Sequence, residues 1–189
     1  MPVCPWAQNE PERTYHDEEW GVPVHDDRVL FEFITLEGAQ AGLSWSTILN
    51  KREGYRKAFC DWDIQSIARL NSRSIDRLVL DPSIVRHRGK IESTIGNAKA
   101  ALRMIERYGS LDAYLWRFVD GEPIVNQFRA QHEVPAKTNR SDAMSKQLKH
   151  DGFKFVGSTI CYAFMQGVGM VNDHLVSCPR WEACQNTRG

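Results

Sequence analysis

Residues 152–178 read GFKFVGSTICYAFMQGVGMVNDHLVSC, and this stretch decides how the chain is built. Just before it, Ser141 is placed to cap a helix through Met144 and Leu148, which Gly152 ends. Thr159 to Val168 reads as a second helix. Between them lies a tight turn, with Phe155-Val156-Gly157 at its centre and the hydroxyl of Ser158 next. Gly157 can take a backbone shape that other residues resist, and it lets the following amides approach an anion. Two helices joined by such a hairpin can grip a DNA backbone through its phosphates without reading sequence. On that reading Phe155, Val156, Gly157 and Ser158 are the contacts. The same pattern fits an ordinary connection between packed helices.

The stretch ends on His174 and Cys178, four apart and so on one face if helical. Cys4 and His16 form a matching pair near the other end of the chain. Two thiols and two imidazoles suit a closed, tetrahedral zinc. The halves lie about 160 residues apart, so a metal would clasp the two ends of a domain and close a long loop. Four unrelated residues are the alternative, since C-x11-H is not a stock half-site.

The chain has 189 residues and is 42% apolar, enough for one sizeable core and room for two lobes. No apolar run reaches the length of a membrane span, and MPVCPWAQNEPERTYHDEEWG has no basic-then-apolar signal pattern. The expectation is a soluble, cytoplasmic protein. The five cysteines are unevenly spaced and odd in number, which argues against a disulfide framework. Lys plus Arg and Asp plus Glu both count 24, so the formal net charge is zero and any DNA contact needs a local patch. Arg86, Arg88 and Lys90 in RHRGK, with Lys146, Lys149 and Lys154, are candidates, against the alternative of solvated faces.

Helical periodicity runs nearly throughout. Asp26 or Asp27 can cap a helix from about Arg28 to Glu37, and Ser44 one carrying Trp45, Ile48 and Leu49. Short helices follow over Ile64–Leu70 and Ile75–Leu80, broken by Asp81-Pro82. A long helix spans about Arg88 to Tyr108, with Gly109 as its C-cap, and Ser110 starts another. Residues 120–139 hold Gly121, Pro123 and Pro135 and read as a loop. No alternating strand pattern persists. Cys184 and the tail after Pro179 carry no assignment, and the tail is a candidate for disorder. The fold class expected is all-α, with two helical lobes and a cleft between them.

Glu37 follows Phe33 by four and Leu30 by seven, so its carboxylate extends an apolar face and should point inward. A buried carboxylate needs hydrogen-bond donors or a cation. Gly38, Ala39, Ala41 and Gly42 leave space beside it, and Trp45 lies close along the chain. Tyr15, Trp20 and Trp6 bring further rings. An acid among aromatic rings can receive a flat cationic base: the rings stack on it and the acid takes its N–H protons. Tryptophans filling core space are the bland alternative.

Together YHDEEWGVP, LFEFITLEGAQAGLSW, IVRHRGKI with GNAKA, and GFKFVGSTICYAFMQGVGMVNDH resemble the 3-methyladenine DNA glycosylase I family, the zinc-containing branch of the helix-hairpin-helix DNA glycosylases. The resemblance runs from Cys4 to about Cys178. It implies a single glycosylase domain over 1–189, one lobe from roughly 1–25 with 140–180 and the other from roughly 26–139. It implies one structural Zn2+ on Cys4, His16, His174 and Cys178. It implies base recognition by Tyr15, Glu37 and Trp45, with Trp6 and Trp20 nearby and Glu37 as the catalytic group. Gly42 and Leu43 would probe the gap left in the DNA by a flipped nucleotide. The implied reaction is hydrolysis of the N-glycosidic bond of 3-methyladenine in alkylated double-stranded DNA. Thr159 stands where bifunctional relatives carry a nucleophilic Lys, so no lyase activity is expected. Asp173 is left outside the catalytic set. A monomer without an obligate protein partner or membrane attachment, nucleoid-associated through DNA, completes the expectation. A module that binds modified DNA without cleaving it, and a hydrolase with catalytic zinc, are the rival readings.

Overall fold

The computed structural model describes residues 3–186, and the chain is mostly helical. Its centre is α2 (Asp27–Ala39), in which every residue from Leu30 to Ala39 is buried. A helix enclosed on all sides must be apolar nearly all round, which explains LFEFITLEGA. Its neighbours are α3 (Trp45–Ala58), α6 (Arg88–Tyr108), α7 (Leu111–Trp116) and α9 (Ser158–Gly167). The two acids before it divide their work. Asp26 caps α2 by accepting from the amides of Arg28 (2.9 Å) and Val29 (3.1 Å). Asp27 instead accepts from the amides of Leu111 and Asp112 at 3.0 and 2.8 Å, so it caps α7 together with Ser110.

Around this centre α4 (Ile64–Ala68) and α5 (Ser72–Leu78) pack on α6, whose C-terminus is turned by Gly109 at φ +92°. The hairpin of residues 151–157 joins α8 (Asn139–His150) to α9, and these two helices pack together. The cap of α8 is Thr138, not Ser141. Thr138 and Ser141 exchange side-chain to backbone bonds in a capping box, so both hydroxyls serve the same helix start. Gly157 has ordinary extended geometry (φ −62°), contrary to the special backbone expected of it. The positive φ values of the hairpin belong to Gly152 (+98°) and Phe155 (+55°). Val156 is 3% exposed and its side chain lies in the core, which leaves only its backbone for a DNA contact.

Three further expectations need correction. His174 and Cys178 do not share a helix: Cys178 precedes Pro179, a position that disfavours helical geometry, and adopts φ −84°, ψ 132° as the N-cap of α10 (Pro179–Ala183). Of the tail after Pro179, residues 180–186 are docked through Trp181, whose Nε1 donates to Asn126 O at 2.7 Å, and the rest lies outside the described residues. Within the stretch read as loop, β1 (Ile124–Val125) pairs in parallel with β2 (Val171–Asn172). Two-residue strands leave no alternation to detect. An unexpected α1 (Glu12–Glu18) starts at Pro11 without a side-chain cap and carries Tyr15 and His16 as its buried residues.

Gly54, inside α3, sits against the segment between α5 and α6 so closely that a methyl group there would strike the Ser83 carbonyl. Replacing glycine by alanine inside a helix ordinarily adds about 0.5–1 kcal/mol. Gly54→Ala should instead lower stability in urea unfolding.

Candidate functional site

Adjacent residues of α1 serve two neighbouring features. Tyr15 faces a pocket of about 200 Å3, also lined by Trp6, Trp20, Glu37, Gln40, Trp45 and Gln166, with Gln131, Val134 and Ala163. His16 faces away into a cluster of cysteine and histidine. The last turn of α2 supplies Glu37, the first residue of α3 is Trp45, and the C-terminal part of α9 supplies Gln166.

Glu37 is 4% exposed, and among the described residues its carboxylate has no hydrogen-bond or ion-pair partner. Burial pushes its pKa up to about 8. The Tyr15 hydroxyl and Trp45 Nε1 are likewise buried without partners. Burial, then the charge of Glu37, holds the Tyr15 phenol well above its usual range, so it remains a neutral hydroxyl. Buried polar atoms are normally satisfied, and here three such groups belong to the wall of one cavity. The rings around them meet at an angle: Tyr15 and Trp45 centroids are 5.3 Å apart at 58°, and Trp6 and Trp20 are 5.0 Å apart at 72°.

Two networks brace this wall. Arg52 of α3 donates through Nε to Glu32 at 2.6 Å and through a terminal nitrogen to Glu19 at 2.7 Å, and lies over the Phe33 ring. It thereby ties together the helices that carry Glu37 and Trp45 and the segment leaving α1. On the other side, Asp173 accepts from Tyr162 (2.6 Å), Gln166 (2.9 Å) and Asn126 (2.7 Å). With three donors already on it, Asp173 fixes the Gln166 amide; it is not a lining residue of the pocket.

Cys4, His16, His174 and Cys178 are all buried, and their ligand atoms lie within 4.8 Å of one another, so the group can hold a metal ion. His174 Nδ1 is 3.1 Å from His16 Nε2 and 3.7 Å from each thiol, and Cys178 Sγ is 3.6 Å from His16 Nε2. The outer ring nitrogens are engaged elsewhere: His16 Nδ1 meets Asp17 at 2.7 Å and His174 Nε2 meets Trp20 O at 2.8 Å. Those bonds place a proton on each outer nitrogen and leave the inner one as a lone-pair donor. Burial pushes the Cys4 thiol up to about 12 and the His174 imidazole down to about 3. Neutral imidazoles are already ligand-ready, while the thiols would lose protons to a cation. The cluster also backs the pocket, since the Trp20 and His174 rings are 4.6 Å apart.

The other sequence candidates lie outside the cavity. Gly42 (φ +80°) and Leu43, 38% exposed, form the turn between Glu37 and Trp45. Phe155 is half-buried against Gly38, where a Cβ would lie 3.1 Å from the Phe155 carbonyl. Ser158 opens α9 and shares a 2.9 Å bond with Ser141. Arg86, Arg88, Lys146, Lys149 and Lys154 are exposed, but Lys90 is buried and bonds only to protein carbonyls, so it leaves the DNA patch. Sequence reasoning missed Gln40, which is one helical turn from Glu37 and was findable by that spacing. It missed Gln131 and Val134, on and beside a short 3-10 turn in the supposed loop, where no periodicity marks them.

Among the described residues no helix is long and apolar enough to cross a membrane. Comparison with known proteins gives a consistent result. A DNA-3-methyladenine glycosylase 1 of Escherichia coli is 50% identical over 179 residues, covering 94% of this chain and 96% of its own. A DNA-3-methyladenine glycosylase of Haemophilus influenzae is 48% identical over 177 residues, covering 93% and 96%. A crystal structure of a 3-methyladenine DNA glycosylase I variant in complex with 3-methyladenine superposes with a TM-score of 0.92 at 36% identity, covering 95% of this chain and 97% of that one. The methyladenine glycosylase family model matches residues 6–181, and the chain belongs to that family.

Proposed function

We propose that this chain hydrolyses the N-glycosidic bond of 3-methyladenine in alkylated double-stranded DNA, after the nucleotide has been flipped into the pocket of Glu37, Tyr15 and Trp45. One observation carries the reading: a buried, unpartnered carboxylic acid in an aromatic cavity sized for a flat ring. Methylation at N3 gives the base a positive charge while it remains attached to the sugar. Entry of that cation beside Glu37 favours the carboxylate, so the proton held by the empty pocket leaves as the base arrives. Tyr15 and Trp45 offer a hydroxyl and an indole N–H, and the rings stack on the cationic face. The base departs with the bonding electron pair and loses its charge, and water adds at the sugar carbon, releasing one proton to solvent to leave a hydroxyl there. Normal adenine presents no cation to Glu37 and has a stronger glycosidic bond. Selectivity therefore comes from chemistry as much as from affinity. Thr159 offers no amine, which leaves an intact strand carrying an abasic site.

The hairpin and α9 would hold the strand. The first intrahelical bond of α9 runs from Cys161 N to Gly157 O, so the amides of residues 158–160 are free of helix bonds and aimed along the axis. Nothing lies within 4 Å of a Cβ built on Gly157, which leaves a phosphate open access.

The metal is read as one structural Zn2+. Zn–N and Zn–S bonds of about 2.05 and 2.3 Å at tetrahedral angles require N–N and N–S separations of about 3.3 and 3.6 Å. Four pairs in the cluster, at 3.1 Å and 3.6–3.7 Å, match these to within a few tenths of an ångström, and the remaining pairs, which involve Cys4, lie within 4.8 Å, so the Cys4 thiol would move in to complete the set. With all four positions taken by protein, the ion supplies cross-linking and not a reactive water. It would anchor His16, and with it the helix that presents Tyr15.

Incubation with alkylated duplex DNA should release free 3-methyladenine, and Glu37→Gln should reduce the single-turnover rate by about tenfold or more. Binding of the base with release no faster than the spontaneous rate would establish the binding module instead. Metal analysis should find one zinc per chain. Chelation should lower the thermal midpoint by about 10 °C or more, given the size of structural zinc binding energies. Loss of release with an unchanged midpoint would point to catalytic zinc.

The empty pocket also makes a pH prediction. Because the fold raises the Glu37 pKa to about 8, the stability associated with its neutral form is complete below the unfolded value near 4.5 and disappears as pH rises through about 8. Between these values wild type should lose stability relative to Glu37→Gln, by up to about 1.4 kcal/mol per pH unit. Parallel urea midpoints for the two proteins across that range would show that Glu37 does not titrate as described.

A further inference from the structure

The RHRGK stretch contributes one residue that the DNA-patch reading does not absorb. Lys90, in the first turn of α6, is buried, and among the described residues it has no carboxylate partner. Its ammonium donates to Ala39 O at 2.8 Å and Ala41 O at 2.7 Å, both about fifty residues earlier in the chain. Burying a lone ammonium is costly, and filling this space would need only an apolar side chain. The acceptors explain the charge. They lie at the C-terminal end of α2, where carbonyls lack helical partners and the helix dipole is negative.

The two carbonyls flank Gln40, where α2 gives way to the turn. Beyond them Gly42 turns at φ +80° and Leu43 N returns to Gln40 O at 2.7 Å, which leaves the Leu43 side chain partly exposed. The Lys90 end is also fixed. His87 caps its amide at 3.2 Å, and Ser93 and Thr94 both donate to its carbonyl at 2.7 and 3.0 Å. A rigid first turn of α6 thus grips a short turn that joins Glu37 to Trp45.

We infer that Lys90 is a positioning residue: by holding Ala39 and Ala41 it sets the place of Leu43, which occupies the gap in the base stack when the nucleotide flips. This rests on the glycosylase reading above, in which opening a paired base is part of the work. Lys90 acts through Leu43 and touches neither the base nor the sugar. Its contribution should therefore matter where a base must be extracted from a stacked duplex, and little where it is already unpaired.

The test is single-turnover release of 3-methyladenine from alkylated DNA, as paired duplex and as single strand, together with the affinity for free 3-methyladenine. Lys90→Met keeps the apolar stem and removes the ammonium. It should slow release from duplex by about tenfold while leaving release from single strand and free-base affinity within about threefold of wild type. Leu43→Ala should behave alike, and the double variant should be no slower than the slower single variant. If Lys90→Met does not fold, Lys90→Gln, which keeps a shorter neutral donor, carries the same comparison. Equal losses on both substrates, no loss on duplex, or multiplying losses with Leu43→Ala would overturn the proposal. Absence of 3-methyladenine release by wild type would overturn the glycosylase reading itself, and is told apart because it needs no variant.

Discussion

The convergence of Cys4 and His16 with His174 and Cys178 is the constraint from which the rest of the site follows. Among the described residues, neither end has much regular structure to hold it. Residues 3–11, before α1, form turns and bends, α1 has no side-chain cap, and the strand before His174 is two residues long. Short elements of this kind are marginal alone. Joined at one buried point they become a wall, and that wall carries Tyr15 on one side and the rings of Trp6 and Trp20 between pocket and cluster. A metal bound there would set the angle at which this aromatic wall meets α2.

The opposite wall is α2, and there the fold accepts a cost. Glu37 occupies a position where an apolar residue would be more stable, since an uncompensated carboxyl in a dry cavity is unfavourable. The price is limited because the group can stay protonated, as its raised pKa indicates. A permanent donor would have satisfied Glu37 and removed its preference for a cation. The nearby guanidinium of Arg52 illustrates the alternative: it is given to Glu32 and Glu19, leaving Glu37 for the ligand.

Much of this was legible in the residue types and their phase along the helix. Glu37 announced itself by falling on the apolar face of Leu30 and Phe33, and the four cluster residues by their chemistry alone. The same phase argument would have turned Lys90 inward, because it shares a face of α6 with the buried Thr94, Asn97, Ala101 and Met104. A lysine closely following two arginines reads as a surface charge until its helical phase is considered. Pro179 likewise warned against a helix through Cys178, since the residue before proline avoids helical geometry. Gln131, Val134 and the β1–β2 ladder had no such marker. Their positions depend on tertiary pairing between segments distant in sequence, which periodicity does not encode.

α2 thus ends in a junction held by cations and polar groups from elsewhere in the fold. Arg52 fixes its middle to α3 and to the segment after α1, and Lys90 fixes its last carbonyls to α6. Gly38 admits the α8–α9 hairpin against it, so the element proposed to grip phosphate touches the helix that carries the pocket acid. On the proposed reading, the distance between a held backbone and an extruded base would then be set by rigid contacts through one helix. A flexible connection could bring the same residues together, but it would lose orientational entropy each time a base entered. Bracing α2 along its length meets that cost during folding, once, and leaves the pocket's geometry ready before the DNA arrives.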